Sequence, residues 1–235
     1  SINKEDIYYS FEYFPAKTEK GMYNLYQKIK RMTFLEPLFI DITWGAGGST
    51  SKRTYNITQQ CYRQLCIETQ MHLTCTNISN NEIDTVLDNL EKDGIENILA
   101  LRGDIPDNNN DLVKNNMTYA SDLVEYIRKK YKNRFCISVA GYPDCHPESK
   151  SIEQDILNLK KKIDTGADYI ITQFFFDVDN FLNYVNKCRE IGIKCKIIPG
   201  ILTISSYQGF IRMVDFCKCS VPSNILDDLK KIKDN

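Results

Sequence analysis

Polar side chains recur two residues apart at the carboxyl ends of several apolar runs. Ser10 and Glu12, Asp41 and Thr43, His72 and Thr74, and Arg102 and Asp104 keep this spacing; Ser138 and Tyr142 lie four apart, and Gln173 closes the apolar "YIIT" in the same way. Alternate residues of an extended chain share a face, so each set turns its hydroxyl, carboxyl, imidazole, guanidinium or amide to one side. Any one of them could be a satisfied polar group in a core. The same pattern on five or six strands points instead to a shared pocket equipped as an active site. Arg102-Gly103-Asp104 is also an adhesion tripeptide. Here it follows the apolar run Ile98–Leu101 and precedes a proline at 106, so it sits where a strand meets its loop and should face the pocket.

Seven apolar runs read as the strands that carry these residues: 7–14, 38–44, 70–76, 97–103, 135–142, 169–176 and 196–202. Helical patterns lie between them. Ser79 and Glu82 form a capping box ahead of Ile83, Val86, Leu87 and Leu90, with Gly94 past the end, and Ser151 and Gln154 form another ahead of Ile156, Leu159 and Ile163. Ala120, Leu123, Val124, Ile127 and Tyr131 mark a third helix, and Val178, Phe181, Leu182 and Val185 a fourth; both stripes read as core packing. Alternating strands and helices imply parallel βαβ units. A doubly wound sheet would fit the alternation, but "GAGGST" (45–50) lacks the third glycine of a dinucleotide fingerprint. Polar residues inside strands covered on both faces are costly unless satisfied. Gathered at the carboxyl ends, they match the active-site mouth of a TIM (β/α)8 barrel, the expected fold.

Bulk composition agrees. The chain has 235 residues, 42% hydrophobic and 26% charged, enough for a large core, and 30 basic against 31 acidic residues leave a net charge of −1. Neither sign is in excess, so nucleic acid and membrane surfaces are not expected partners. No apolar stretch approaches the ~20 residues of a membrane span. The nine cysteines have no repeating spacing and there are two histidines, which disfavours a metal site. No signal-peptide pattern is seen, so reduced thiols in a cytoplasmic protein are expected, and the adhesion reading of the tripeptide loses its extracellular setting.

The motifs "SFEYFP" (10–15), "DITWGAGG" (41–48), "MHLTC" (71–75), "LALRGD" (99–104), "AGYPDCHPE" (140–148), "GADYIITQFFFD" (166–177) and "PGIL" (199–202) stand in the order and spacing of methylenetetrahydrofolate reductase, and the resemblance, closest to the eukaryotic branch, spans essentially the whole chain. It implies a flavin-containing TIM barrel that reduces 5,10-methylenetetrahydrofolate to 5-methyltetrahydrofolate with FAD and NADH or NADPH. By the same resemblance Glu12 is the general acid that opens the folate ring, and Asp104 lies beside flavin and pterin, tuning both half-reactions by its charge. Gln173 binds the pterin, Tyr207 stands near the folate and nicotinamide position, and Thr43 and Trp44 contact flavin and nicotinamide. Arg102, His146 and Lys162 meet the FAD tail, with His72, Gly103, Tyr119, Ala120, Tyr142 and Asp155 alongside. Without the resemblance, Asp155 and Lys162, seven apart on one helix, read as a solvated face.

The sequence departs from the family at Ile105, which separates Asp104 from Pro106, and at its end. The final helical pattern (Ile225, Leu229, Ile232) leads out of the chain with no eighth strand. The expectation is one domain truncated at its C-terminal end, with seven parallel strands and an unpaired first and seventh. Two rivals stay open: a folate-binding TIM-barrel methyltransferase without flavin, and a non-catalytic truncated barrel. Nicotinamide preference and oligomeric state are left open too, a homo-oligomer being among the expectations.

Overall fold

The computed structural model describes residues 7–44, 51–103 and 117–232. Seven strands alternate with helices: β1 (Ser10–Tyr13), α1 (Glu19–Met32), β2 (Phe39–Ile42), α2 (Ser51–Leu65), β3 (Thr69–Thr74), α3 (Asn80–Asp93), β4 (Asn97–Leu101), α4 (Ala120–Tyr131), β5 (Cys136–Gly141), α5 (Ile152–Asp164), β6 (Tyr169–Phe174), α6 (Val178–Glu190), β7 (Lys196–Gly200), α7 (Tyr207–Cys217) and α8 (Ser223–Ile232). The strands lie in sequential order, β1 to β7, with parallel pairing. This is the TIM-barrel class with seven strands, and β1 and β7 are the ends of the order. The chain divides into two compact units, with the boundary in the sequence between Ile137 and Ser138.

Local chemistry sets the helix starts. The Ser79 hydroxyl accepts from the Glu82 backbone amide while Glu82 accepts from the Ser79 amide, the reciprocal box the spacing requires. Gly94 ends that helix in the left-handed region, at φ 80°. Ser151, Asp177 and Ser206 cap α5, α6 and α7, each accepting from the amide three residues on; the expected box at Ser151 keeps only this half, because the Gln154 side-chain amide donates to Asn158 instead.

In the first unit the strands have two distinct faces. Ile40 and Ile42 of β2 pack with Tyr13, Ile29 of α1, and Ile57 and Cys61 of α2. Burying one such isoleucine is worth about 1.5–3 kcal/mol, so this apolar face holds the strands against their helices. The opposite face is polar. Glu12 pairs in register with Asp41, and Asp41 with Gln70. In a parallel ladder register partners share a face, and His72, two residues beyond Gln70, joins them.

One expected stripe is misplaced. α6 buries Tyr184 and Cys188, whereas Val178 is 62% and Leu182 52% exposed. Phe181 keeps its inward role by stacking on Phe175, centroids 4.4 Å apart. The helix is phased by a tyrosine and a cysteine, which a count of aliphatic residues passes over. None of the nine cysteines, all among the described residues, is in a disulfide. No helix among the described residues is long and apolar enough to cross a membrane, and no cluster there could hold a metal ion.

Candidate active site

Each unit presents its own polar cluster at the carboxyl ends of its strands. In the first unit Asp41, Gln70 and His72 are buried, while the Glu12 side chain remains 46% exposed. The Gln70 amide donates to Asp41 Oδ1. His72 Nε2 lies 3.6 Å from Asp41 Oδ1 and 3.8 Å from Glu12 Oε2, beyond hydrogen-bond reach, and is a buried nitrogen with no hydrogen-bond partner among the described residues. The protein crowded around Glu12 strips water from its carboxyl and raises its pKa; the His72 imidazole pulls it down and the Asp41 carboxylate pushes it up again. A carboxyl that resists ionisation yet is open at the mouth can hand a proton to a ligand.

Around this cluster the strand ends are pinned. Thr43 is buried, its amide donating to Tyr13 O and its carbonyl accepting from the Thr54 hydroxyl; Trp44, next along, is half-buried. The Arg102 carbonyl accepts from both the amide and the hydroxyl of Thr76, so the "LRG" segment is tied to the end of β3. Gly103 has φ 90°, and a Cβ there would lie 2.9 Å from the Thr74 Cβ. Only glycine turns the chain here at this closeness. Tyr119 caps α4 and is 56% exposed, and Ala120 is buried in the first turn. Asp104 lies outside the described residues, as do residues 45–50 of the "GAGGST" turn and Ile105.

In the second unit Tyr142, His146, Asp155 and Lys162 come together. The Tyr142 and His146 rings meet edge to face at 4.7 Å, and Lys162 Nζ stands 5.8 Å from the Tyr142 ring centroid. The Asp155 carboxylate is buried, accepting from the His146 amide and the Ser149 hydroxyl, so the solvated reading of this helix face is overturned for Asp155. His146 Nδ1 accepts from the Glu148 amide, which assigns the ring proton to Nε2. Lys162 donates to the Ala140 carbonyl at 2.6 Å. Burial lowers its pKa to about 8, against the opposing pull of Asp155. An ammonium stripped of water this way, with donors in hand, suits an anionic ligand.

Gln173 and Tyr207 are less engaged. The Gln173 side-chain oxygen accepts from the adjacent Phe174 amide. Tyr207 opens α7 half-buried, and no hydrogen bond or ring contact among the described residues joins it to the other candidates. Gln70 was not anticipated at all. Its only sequence signal is a polar residue two positions before His72 on a covered strand, and its partner Asp41 follows from strand register, which the sequence does not state.

Comparison with known proteins bears on this arrangement. A model of the methylenetetrahydrofolate reductase family matches residues 1–235. Methylenetetrahydrofolate reductase (NADH) 1 of Zea mays is 48% identical over 97% of this chain and 40% of its own length, and methylenetetrahydrofolate reductase 1 of Schizosaccharomyces pombe is 45% identical over 99% and 39%. The 5,10-methylenetetrahydrofolate reductase of Salmonella typhimurium is 39% identical over 91% of this chain and 70% of its own. This chain thus spans about 40% of the plant and yeast relatives. Among solved structures, an uncharacterized Clostridium thermocellum protein that binds two copies of 5-methyl-5,6,7,8-tetrahydrofolic acid matches with a TM-score of 0.65 at 16% identity, covering 97% of this chain and 77% of that one. The 3-dehydroquinate dehydratase of Geobacillus kaustophilus matches at 0.54 and 7% identity, covering 85% and 75%. These two likenesses concern the fold. On the strength of the whole-chain match and the close relatives, the chain belongs to the methylenetetrahydrofolate reductase family.

Proposed function

We propose that the chain is the catalytic barrel of a cytoplasmic, flavin-dependent reductase. It would convert 5,10-methylenetetrahydrofolate to 5-methyltetrahydrofolate with NADH or NADPH, within one-carbon and methionine metabolism. The observation that carries the reading is Glu12, held toward its protonated form at an open strand end, in a chain that matches the family along its whole length. The folate's five-membered ring must open before it accepts hydride, and opening requires a proton. Glu12 supplies it, and the burial that raises its pKa shifts it in the direction a proton donor needs.

The residues present fit a flavin dinucleotide. Among the described residues His72 has a buried nitrogen without a partner, and Lys162 is a desolvated cation that donates to the Ala140 carbonyl. Lys162, His146 and Arg102 would meet the pyrophosphate. Asp155 would hold the turn that presents His146, through the bonds it already makes. The resemblance to the family assigns His72, Thr43, Trp44, Gly103, Tyr119, Ala120 and Tyr142 to the rest of the flavin, Gln173 and Tyr207 to the folate, and Asp104, which lies outside the described residues, to both. When bound, the flavin supplies hydride transfer between nicotinamide and folate. The NADH in the plant relatives' names supports that donor.

The test is the absorbance spectrum of the purified protein, then anaerobic addition of each nicotinamide and of methylenetetrahydrofolate. A yellow protein bleached by a nicotinamide and reoxidised by the folate is expected. A colourless protein that binds folate would favour the methyltransferase instead.

A further inference from the structure

The reading of Glu12 as proton donor leaves Asp41 without a task, although Asp41 is almost fully buried and in register with Glu12. A carboxylate sealed inside a sheet is costly and needs compensation. Gln70 supplies one hydrogen bond, and Asp41 has the His72 Nε2 nearby at 3.6 Å. The same nitrogen lies 3.8 Å from Glu12. One imidazole edge therefore stands between two carboxyls and is hydrogen-bonded to neither; Asp41 is the nearer and the more enclosed, and Glu12 is open at the mouth. Among the described residues the charged groups facing Glu12 are His72 from β3 and Asp41 from β2.

Resting on the proton-donor role of Glu12, we propose that Asp41, held by Gln70, is a positioning residue for the Glu12 carboxyl, acting on it through space and through His72. Its negative charge opposes ionisation of Glu12, and it stands nearer than Glu12 to the imidazole nitrogen that could otherwise serve Glu12.

Two experiments decide it. In Asp41→Asn, which keeps an acceptor for Gln70, the alkaline limb of the folate half-reaction should move about one pH unit toward acid. That is about a tenfold loss of rate on that limb with little change at low pH, since one unit is tenfold in protonated fraction. An unmoved limb overturns the proposal. The second readout needs no catalysis: the ¹³C-carboxyl resonance of Glu12, assigned with Glu12→Gln, is followed against pH in the parent and in Asp41→Asn, or in Asp41→Ser where the first variant fails to fold. Its midpoint should move toward acid when the Asp41 charge is removed. An unmoved midpoint overturns the proposal. A moved midpoint in a protein that fails to turn over folate would uphold the coupling and remove the reaction assignment.

Discussion

Lys162 and Glu12 are displaced from their ordinary ionisation in the direction that suits a ligand of opposite need. Lys162 gives up its proton near pH 8 in the folded chain, against 10.5 unperturbed. Between those values the unfolded chain binds the extra proton, so stability should rise with pH through that window and be lowest, for this group, below 8. Lys162→Met should accordingly be more stable than the parent at pH 7 and lose the slope between pH 8 and 10, as urea midpoints would show. It should also bind flavin dinucleotide more weakly, and the parent's affinity for it should fall as pH passes 8. A variant that keeps the parent's slope between pH 8 and 10, with unaltered affinity, would remove Lys162 from an anion site. For Glu12→Gln, reduction of flavin by nicotinamide should persist while the folate half-reaction drops by about 10²–10⁴; equal losses in both would refute the assigned role. These residues differ in how far the sequence exposes them. Glu12 and His72 stand out as polar groups spaced by two at strand ends. Lys162 and Asp155 do not, because a helix face rich in lysine looks solvated until the loop from Tyr142 to Ser149 folds over it.

At the scale of elements, the seven strands were legible because each is an apolar run bounded by turns and followed by a helical period. The phase of α6 was not, since Tyr184 and Cys188 carry the buried face. The close approach of β6 and β7 was hidden as well. "PGIL" reads as a motif, yet the need for Gly200 is tertiary: a Cβ there would lie 2.2 Å from the Thr172 carbonyl oxygen, and the Gly200 amide donates to the Thr172 hydroxyl. A backbone carbonyl cannot swing aside as a side chain can. Gly200→Ala should therefore cost about 1–3 kcal/mol, the range for forced overpacking, seen as a lowered urea midpoint. Ser79→Ala, which removes a cap and leaves packing intact, should cost about 1 kcal/mol and makes the comparison. A Gly200→Ala midpoint equal to the parent's would mean that β7 yields freely.

For the molecule as a whole, the parallel strands are not equally covered. Every residue of β3 is buried, whereas β7 has Lys196 and Pro199 exposed and the rest half-buried. β7 pairs with β6 and β1 with β2, and among the described residues neither strand has a second neighbour. Ahead of β1, Ile7 is 91% exposed, and Tyr8 and Tyr9 are exposed beside it. Parallel strands in a barrel are normally covered on both faces and paired along both edges, and closure is what removes the edge. Unpaired apolar edges invite association with other chains. The plant and yeast relatives run to more than twice this length, so we propose that the residues following position 235 in a longer chain supply the partner strand. Residues 1–235 expressed alone should then elute as oligomers or aggregates and retain flavin poorly. A chain extended through one further strand should be monodisperse at that step, hold flavin and turn over folate. Light scattering and the visible spectrum of the two proteins make the measurement. A 235-residue protein that is monomeric, yellow and active would show that these edges are satisfied without any added strand.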